Sequence, residues 1–164
     1  MSAAVLLLAF VTAQRLGELV LARRNTARLM AQGAVEIAPG HYPAIVLLHA
    51  GWLATLWWFG WSTEVVPLWL ALYGLLQLLR IWTLASLGAR WTTRIILLPG
   101  APLVRRGPYR WVSHPNYLVV IGEIAVLPLA LGLPNLALVF SLLNGLVLAV
   151  RIRAEAKGLS ASAG

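Results

Sequence analysis

The sequence predicts an all-α integral membrane protein with about five transmembrane helices. Of its 164 residues, 60% are hydrophobic and only 11% are charged, whereas a soluble domain carries roughly a quarter charged residues. A chain of this length cannot bury so much apolar surface within itself, so the excess is expected to face lipid. The apolar residues are also grouped into long stretches, as helices that cross a bilayer require.

Five apolar stretches approach the length of about 20 residues that a spanning helix needs. They cover residues 3–22, 43–61, 66–87, 117–131 and 136–150. The last two are short for a span, and the turn Gly132-Leu133-Pro134-Asn135 joins them. We therefore expect a C-terminal helical hairpin, which either crosses the bilayer or only dips into it.

The basic residues predict how the chain is oriented. Eleven of the thirteen Lys and Arg residues fall after the first stretch, after the third, or in the tail. The other two connections contain neither Lys nor Arg. Because cytoplasmic segments of membrane proteins collect Lys and Arg, we expect a cytoplasmic C-terminus and an external N-terminus, in a bacterial cell membrane. The same bias explains the net charge of +8 without a nucleic-acid partner.

The two remaining basic residues, Arg15 and Arg80, fall inside the apolar stretches. Arg15 and Glu18 are three residues apart and share one helical face. Intramembrane charges often mark functional sites, but a neutralised pair that faces other helices is the simpler interpretation. Arg80 lies nearer the inner end of its stretch and is expected to extend toward the interface. An interfacial aromatic belt is expected from five tryptophans: Trp52, Trp57, Trp58, Trp61 and Trp69.

The long connection after the third stretch is predicted to be a folded cytoplasmic loop. Repeated glycine and proline prevent a continuous helix there. The loop and the start of the next stretch also contain hydrogen-bonding side chains: Thr92, Thr93, Tyr109, His114, Asn116 and Tyr117. This composition predicts a pocket for a polar, flat-ringed ligand at the membrane surface. No metal centre is expected, because the chain has no Cys, no Asp and only three His.

The segment after the fifth stretch contains a second polar pair. Arg151 and Glu155 are four residues apart, so both side chains project from one helical face. A positively charged flank of a membrane span is the simpler explanation when this pair is considered alone.

Together these motifs resemble the isoprenylcysteine carboxyl methyltransferase family. The resemblance lies in the run from Gly107-Pro-Tyr109 to His114-Pro-Asn-Tyr117, followed by Arg151-x-x-x-Glu155. More narrowly, the chain resembles a bacterial branch found beside type III polyketide synthases. The resemblance implies one polytopic methyltransferase domain over residues 1–164, with its cofactor-binding part at about residues 88–157.

The resemblance also implies S-adenosylmethionine as the cofactor. It places ten residues at the cofactor: Ala101, Pro102, Leu103, Val104, Tyr109, His114, Pro115, Asn116, Tyr117 and Glu155. It places Arg151 on the substrate side and makes Arg151 and Glu155 the catalytic pair.

The acceptor implied is lipophilic and reaches the site from the bilayer. It is either an isoprenylcysteine-type carboxylate or the hydroxyl of an alkylpyrone or alkylresorcinol. A simple phenol, with a pKa of about 10, needs a base, whereas a carboxylate or an acidic enol does not. Carboxylates and acidic enols therefore fit better. Two alternatives stay open, a phospholipid N-methyltransferase and a non-enzymatic lipid-binding or subunit protein whose loop only packs beneath the helices.

Overall fold

The computed structural model describes residues 2–162, with side chains through residue 156. Within that part of the chain there are five α-helices: α1 (Ala3–Ala31), α2 (Tyr42–Gly60), α3 (Pro67–Leu87), α4 (Pro115–Ala130) and α5 (Pro134–Ser162). All except α4, which has 16 residues, are long and apolar enough to cross a membrane. These helices confirm the predicted all-α integral membrane protein and the hairpin of α4 and α5.

Residues at the helix starts explain where the helices begin. Proline is the first residue of α3, α4 and α5, a position where its missing N–H is not needed and its fixed φ is already helical. The first helix is capped by Ser2, whose hydroxyl oxygen accepts a hydrogen bond from the Val5 N–H at 3.3 Å. A glycine also marks the end of one helix, since α3 ends at Leu87 and is followed by Gly88, which has φ +55°.

Two short strands and three 3₁₀ turns complete the described fold. The strands β1 (Val35–Glu36) and β2 (Ile96–Leu97) pair antiparallel, with Val35 opposite Leu97. The 3₁₀ turns are Pro39–His41, Gly88–Arg90 and Gly107–Arg110. These elements all lie in the two long connections, so the loop after α3 is folded, as predicted.

The connections alternate between the two ends of the helix bundle. At one end, Ser2 Oγ donates to the Trp61 carbonyl at 3.1 Å. At the other end, Asn25 Nδ2 donates to the Trp91 carbonyl at 2.8 Å, and Arg151 Nη1 donates to the Thr93 carbonyl at 2.8 Å. The arginine-rich segments 23–28, 88–114 and 151–156 are therefore gathered at one end, called the basic end below.

The apolar core lies between the helices on the side away from the basic end. Its buried residues come from all five helices and include Leu8, Leu56, Tyr73, Leu127 and Phe140. Helices α3 and α4 approach closely at Gly122, where an added Cβ would lie 2.8 Å from Leu76 Cδ2. The small glycine therefore allows α4 to pack tightly although it is short.

Two helices extend beyond the predicted spans, and the position of one tryptophan was predicted wrongly. Helices α1 and α5 continue to Ala31 and Ser162, beyond residues 22 and 150, because Arg, Lys and Glu are good helix formers and mark the edge of the membrane rather than the end of a helix. Trp52 is 1% exposed and lies in the middle of α2, so it does not belong to an interfacial belt. Trp58 and Trp61 are 77% and 57% exposed and lie at the end of α2, where an interfacial belt is expected.

Candidate active site

Four of the predicted site residues meet at the basic end, where α4 and α5 lie side by side. Tyr117 Oη donates to Glu155 Oε2 at 2.5 Å and accepts from Arg151 Nε at 3.0 Å. The His114 ring stacks on the Tyr117 ring, with centroids 4.9 Å apart and planes 6° from parallel. His114 Nδ1 is 3.9 Å from Glu155 Oε2. We call His114, Tyr117, Arg151 and Glu155 the Tyr117 cluster.

Local sequence explains why these side chains meet. Pro115 starts α4, which places Asn116 and Tyr117 in its first turn and keeps His114 outside the helix. Arg151 and Glu155 are one turn apart on α5, so they face the same neighbour. The spacing in the sequence therefore predicts which residues share a face, and the packing of α4 on α5 supplies the contact.

The loop after α3 covers the cluster through Thr93. The Thr93 carbonyl accepts from Arg151 Nη1 at 2.8 Å, and its hydroxyl lies 3.1 Å from the Tyr42 hydroxyl on α2. Next to it, Arg94 Nη1 contacts Glu36 Oε1 at 2.9 Å, and β1 pairs with β2. The loop is thus fixed to α2 and α5 on both sides of the cluster.

Tyr109 belongs to the same region, on the 3₁₀ turn that begins at Gly107. Burial, together with the nearby Tyr117 and Glu155, raises the pKa of Tyr109 well above its ordinary value. Its hydroxyl therefore stays protonated and can act as a hydrogen-bond donor.

The segment 101–104 is placed differently. Leu103 is 77% exposed, and the Pro102 carbonyl accepts from Arg90 Nη1 at 2.6 Å. Among the described side chains, no hydrogen bond joins this segment to the Tyr117 cluster. The two remaining predicted residues follow His114 directly. Pro115 is buried, and the buried Asn116 Oδ1 has no hydrogen-bond partner among the residues that the structure describes.

A cavity of about 330 Å³ extends from the Tyr117 cluster into the helix bundle. Its mouth is polar and is lined by Trp91, Thr92, Thr93, Asn116, Tyr117 and Arg151. Its middle is mainly apolar and is lined by Ile45, Val46, Leu53, Val120, Val147 and Leu148, with His49 beside them. Leu16 and Leu19 of α1 and Val46 of α2 also line it and are at least 39% exposed, so one side of the cavity reaches the apolar outer surface of the bundle.

The inner end of the cavity, lined by Arg15, Glu18, Trp52 and Arg80, is called the floor below. Three of these residues belong to a network of four charged side chains. Arg15 Nη2 contacts Glu123 Oε2 at 2.8 Å, and Arg15 Nη1 contacts Glu18 Oε2 at 3.1 Å. Arg80 Nη1 contacts Glu123 Oε2 at 2.6 Å and also pairs with Glu18. Gln77 adds a hydrogen bond to Glu123 at 2.7 Å. The network joins α1, α3 and α4 and has no net formal charge.

The network changes the sequence interpretation at two residues. The predicted Arg15–Glu18 pair is present, but Arg80 is 4% exposed and does not extend toward the interface, because two carboxylates hold it inside the bundle. Glu123, 0% exposed, was missed. It is the only acid in the apolar stretch 117–131, and the unmatched positive charge of Arg80 was the signal that could have identified it.

Comparisons with known proteins agree with the motif resemblance. The isoprenylcysteine carboxyl methyltransferase (ICMT) family matches residues 69–161, which contain the whole Tyr117 cluster. A relative in Bacillus subtilis (strain 168), the uncharacterized protein YpbQ, is 38% identical over 167 residues, covering 94% of this chain and 95% of the relative. No solved structure matches the chain significantly.

Proposed function

We propose a function for this chain, which belongs to the isoprenylcysteine carboxyl methyltransferase family. It would be an S-adenosylmethionine-dependent O-methyltransferase for a lipophilic acceptor. The observation that carries the proposal is the position of the Tyr117 cluster at the polar mouth of a cavity whose side reaches the lipid-facing surface. Such a site is open to a water-soluble cofactor at the basic end and to an acceptor within the bilayer.

The residues at the basic end fit the proposed cofactor. Glu155 offers a carboxylate to the amino group or the ribose of the cofactor. Asn116 has a buried acceptor that is unpaired among the described side chains, and the stacked His114 and Tyr117 rings offer a flat surface. Tyr109 and residues 101–104 would complete the site, as the family resemblance implies. When bound, S-adenosylmethionine supplies an electrophilic methyl group on a positively charged sulfur.

Arg151 is the proposed acceptor-binding residue. Among the described residues, Arg151 Nε donates to the Tyr117 hydroxyl and Arg151 Nη1 donates to the Thr93 carbonyl. These two hydrogen bonds fix the guanidinium and leave Nη2 for an acceptor oxygen. A guanidinium suits an anionic oxygen, such as a carboxylate or an acidic enol. An anionic acceptor loses its charge on methylation, so the apolar surroundings just inside the mouth favour the transition state over the solvated reactants.

The acceptor proposed is therefore an amphiphile with an acidic oxygen. An isoprenylcysteine-type carboxylate and the enol of a hydroxylated alkylpyrone both meet this description. The resemblance to the branch found beside type III polyketide synthases favours the enol, and a polyketide synthase gene next to this one would support that choice.

Isothermal titration of the purified protein with S-adenosylmethionine tests the cofactor. We expect saturable binding with one site per chain. A folded sample that binds no S-adenosylmethionine would contradict the enzymatic proposal and favour a lipid-binding or subunit role.

Transfer of a tritiated methyl group to membrane lipids tests the acceptor. Base hydrolysis releases volatile methanol from methyl esters, and cation exchange retains methylated amines. Label that stays in the neutral lipids after both steps identifies a methyl ether. Label retained on the cation exchanger would show phospholipid N-methylation and would contradict the O-methyltransferase proposal.

Replacing Arg151 with alanine tests the division of roles. We expect turnover of an anionic acceptor to fall by about two orders of magnitude, because a charge-assisted contact to the reacting group is lost. Cofactor affinity should stay within about threefold of wild type, since the deleted contacts are to Tyr117 and Thr93 rather than to the cofactor. Complete loss of S-adenosylmethionine binding would show that Arg151 belongs to the cofactor site.

A further inference from the structure

The cavity is polar at both ends, and the family resemblance accounts only for its mouth. Tyr42 lines the mouth and Trp52 lines the floor, ten residues further along α2, which corresponds to about 15 Å along a helix. Asn144, 4% exposed, lines the cavity two turns of α5 below Arg151. A ligand that fills the cavity therefore meets polar groups again after crossing the apolar middle.

The floor has hydrogen-bond donors to spare. Arg15 Nε and Trp52 Nε1 are both buried and lack a hydrogen-bond partner in the described part of the chain, and Trp52 is 1% exposed. The two groups are neighbours, since the Arg15 guanidinium carbon lies 6.0 Å from the centre of the Trp52 ring. A buried N–H without a partner costs free energy comparable to a lost hydrogen bond, so a ligand oxygen at this position would be stabilised.

The charge network determines what kind of oxygen fits. Glu18 and Glu123 contact the two Nη groups of Arg15, whereas Arg15 Nε has no hydrogen-bond partner among the described residues. Because two positive and two negative charges balance in the network, a further full charge would be left without compensation in a region of low dielectric. A neutral hydroxyl, carbonyl or ester oxygen accepts hydrogen bonds without that penalty.

A hydrocarbon end would fit less well. It would leave both donors unpaired and would place apolar atoms against four charged side chains. The residues that form this floor on α1 and α2 also lie outside residues 69–161, the part that matches the family, so the floor can differ between relatives that share the same mouth.

We propose that the floor is a second oxygen-binding position, formed by Arg15 and Trp52, and that the cavity takes an amphiphile with oxygen at both ends and hydrocarbon between them. The identification of this amphiphile as the methyl acceptor rests on the proposed function and narrows it, since the hydrocarbon tail of the acceptor would then carry an oxygen at its far end. Binding at the floor does not, because it requires neither the cofactor nor methyl transfer.

Two fatty acids that differ only at the far end test the proposal. Decanoate and 10-hydroxydecanoate share a carboxylate for Arg151, and their extended length is close to the depth of the cavity. The purified protein in lipid nanodiscs is titrated with each, without cofactor, and binding is measured from the rise in the unfolding temperature. We expect about fivefold tighter binding of the hydroxy acid, the effect of one hydrogen bond. A purely apolar cavity would prefer decanoate.

The variants W52F and W58F distinguish binding at the floor from partitioning of the acids into the bilayer. W52F removes the indole N–H at the floor, whereas W58F makes the same change at a side chain that is 77% exposed. The preference for the hydroxy acid should disappear in W52F and persist in W58F. Differences in how the two acids enter the bilayer cancel, because all the proteins share one lipid composition.

A wild-type protein without the preference, or a W52F protein that keeps it, would overturn the proposal. If W52F does not fold, R15K removes the Nε donor while keeping the positive charge, and the same loss of preference is expected.

Failure of the proposed function can be distinguished from failure of the floor proposal. A protein that distinguishes the two acids but binds no S-adenosylmethionine retains the floor site, whereas one that binds the cofactor but treats the acids alike has lost it.

Discussion

At the scale of single residues, one hydroxyl group organises the candidate site. Tyr117 Oη is hydrogen-bonded to both Arg151 and Glu155, so it links the start of α4 to the far end of α5. Its ring also carries the stacked His114. A phenol can do this because it donates one hydrogen bond while accepting another. The ring stacks and the hydroxyl forms hydrogen bonds, so replacing Tyr117 with phenylalanine removes the second role and keeps the first.

The Y117F variant is predicted to weaken S-adenosylmethionine binding by about tenfold, since a hydrogen bond to a charged group is lost while the stacked ring remains. Isothermal titration measures the change. Y73F is the matched control, because the Tyr73 hydroxyl is buried without a hydrogen-bond partner among the described residues. Equal affinity of Y117F and wild type would show that the cluster does not form part of the cofactor site.

Residue-level prediction from the sequence succeeded where a motif or a spacing determined the outcome. Arg151 and Glu155 share a face of α5 because they are four residues apart, and Pro115 fixes the start of α4 beside His114. Arg80 and Glu123 could not be paired in this way, because they lie on different helices and 43 positions apart. Their contact depends on how α3 packs against α4, which no local pattern encodes.

At the scale of helices and loops, Gly107 connects the folded loop to α3. Its φ is +57°, and an added Cβ would lie 1.9 Å from Ser86 Oγ and 2.9 Å from Ser86 Cβ. The 3₁₀ turn that carries Tyr109 starts at this point of close contact. The motif identified Gly107, but only the packing of the turn against α3 explains why a side chain is excluded there.

G107A is therefore predicted to lower the free energy of unfolding by about 3 kcal/mol, from steric overlap and an unfavourable φ together. G100A provides the control, since Gly100 has a φ of +74° but no atom within 4 Å of an added Cβ. G100A should lower the free energy of unfolding by only about 1 kcal/mol, because only the unfavourable φ contributes. Similar losses in both variants, measured by denaturation in detergent, would show that the contact with Ser86 contributes nothing.

The charge network joins three helices and makes a further prediction at this scale. E123Q leaves Arg15 and Arg80 to share Glu18, so we expect a loss of about 3 kcal/mol of stability. The double variant R15Q/E123Q restores neutrality and should lose clearly less than the sum of the two single variants. E36Q breaks the half-exposed pair with Arg94 and should cost at most about 1 kcal/mol. Additive losses would contradict a coupled network.

At the scale of the whole molecule, the charge distribution and the site coincide. The arginine-rich segments gather at the end that holds the Tyr117 cluster, the folded loop and the mouth of the cavity. The sequence predicted this gathering because it depends only on the number of helices and the order of the connections. The depth of the cavity and its charged floor could not be predicted, because they depend on gaps between α1, α2 and α5 that local patterns do not specify.

The orientation of this end in the membrane is the last prediction. Since cytoplasmic segments collect Arg and Lys, the basic end should face the cytoplasm, where S-adenosylmethionine would be available. The chain has no cysteine, so single cysteines report accessibility directly. L103C lies at the basic end and S62C at the other, and both positions are exposed. A membrane-impermeant maleimide should label S62C in right-side-out vesicles and L103C in inside-out vesicles. The reverse pattern would place the candidate site outside the cell and would contradict a cytoplasmic source for its cofactor.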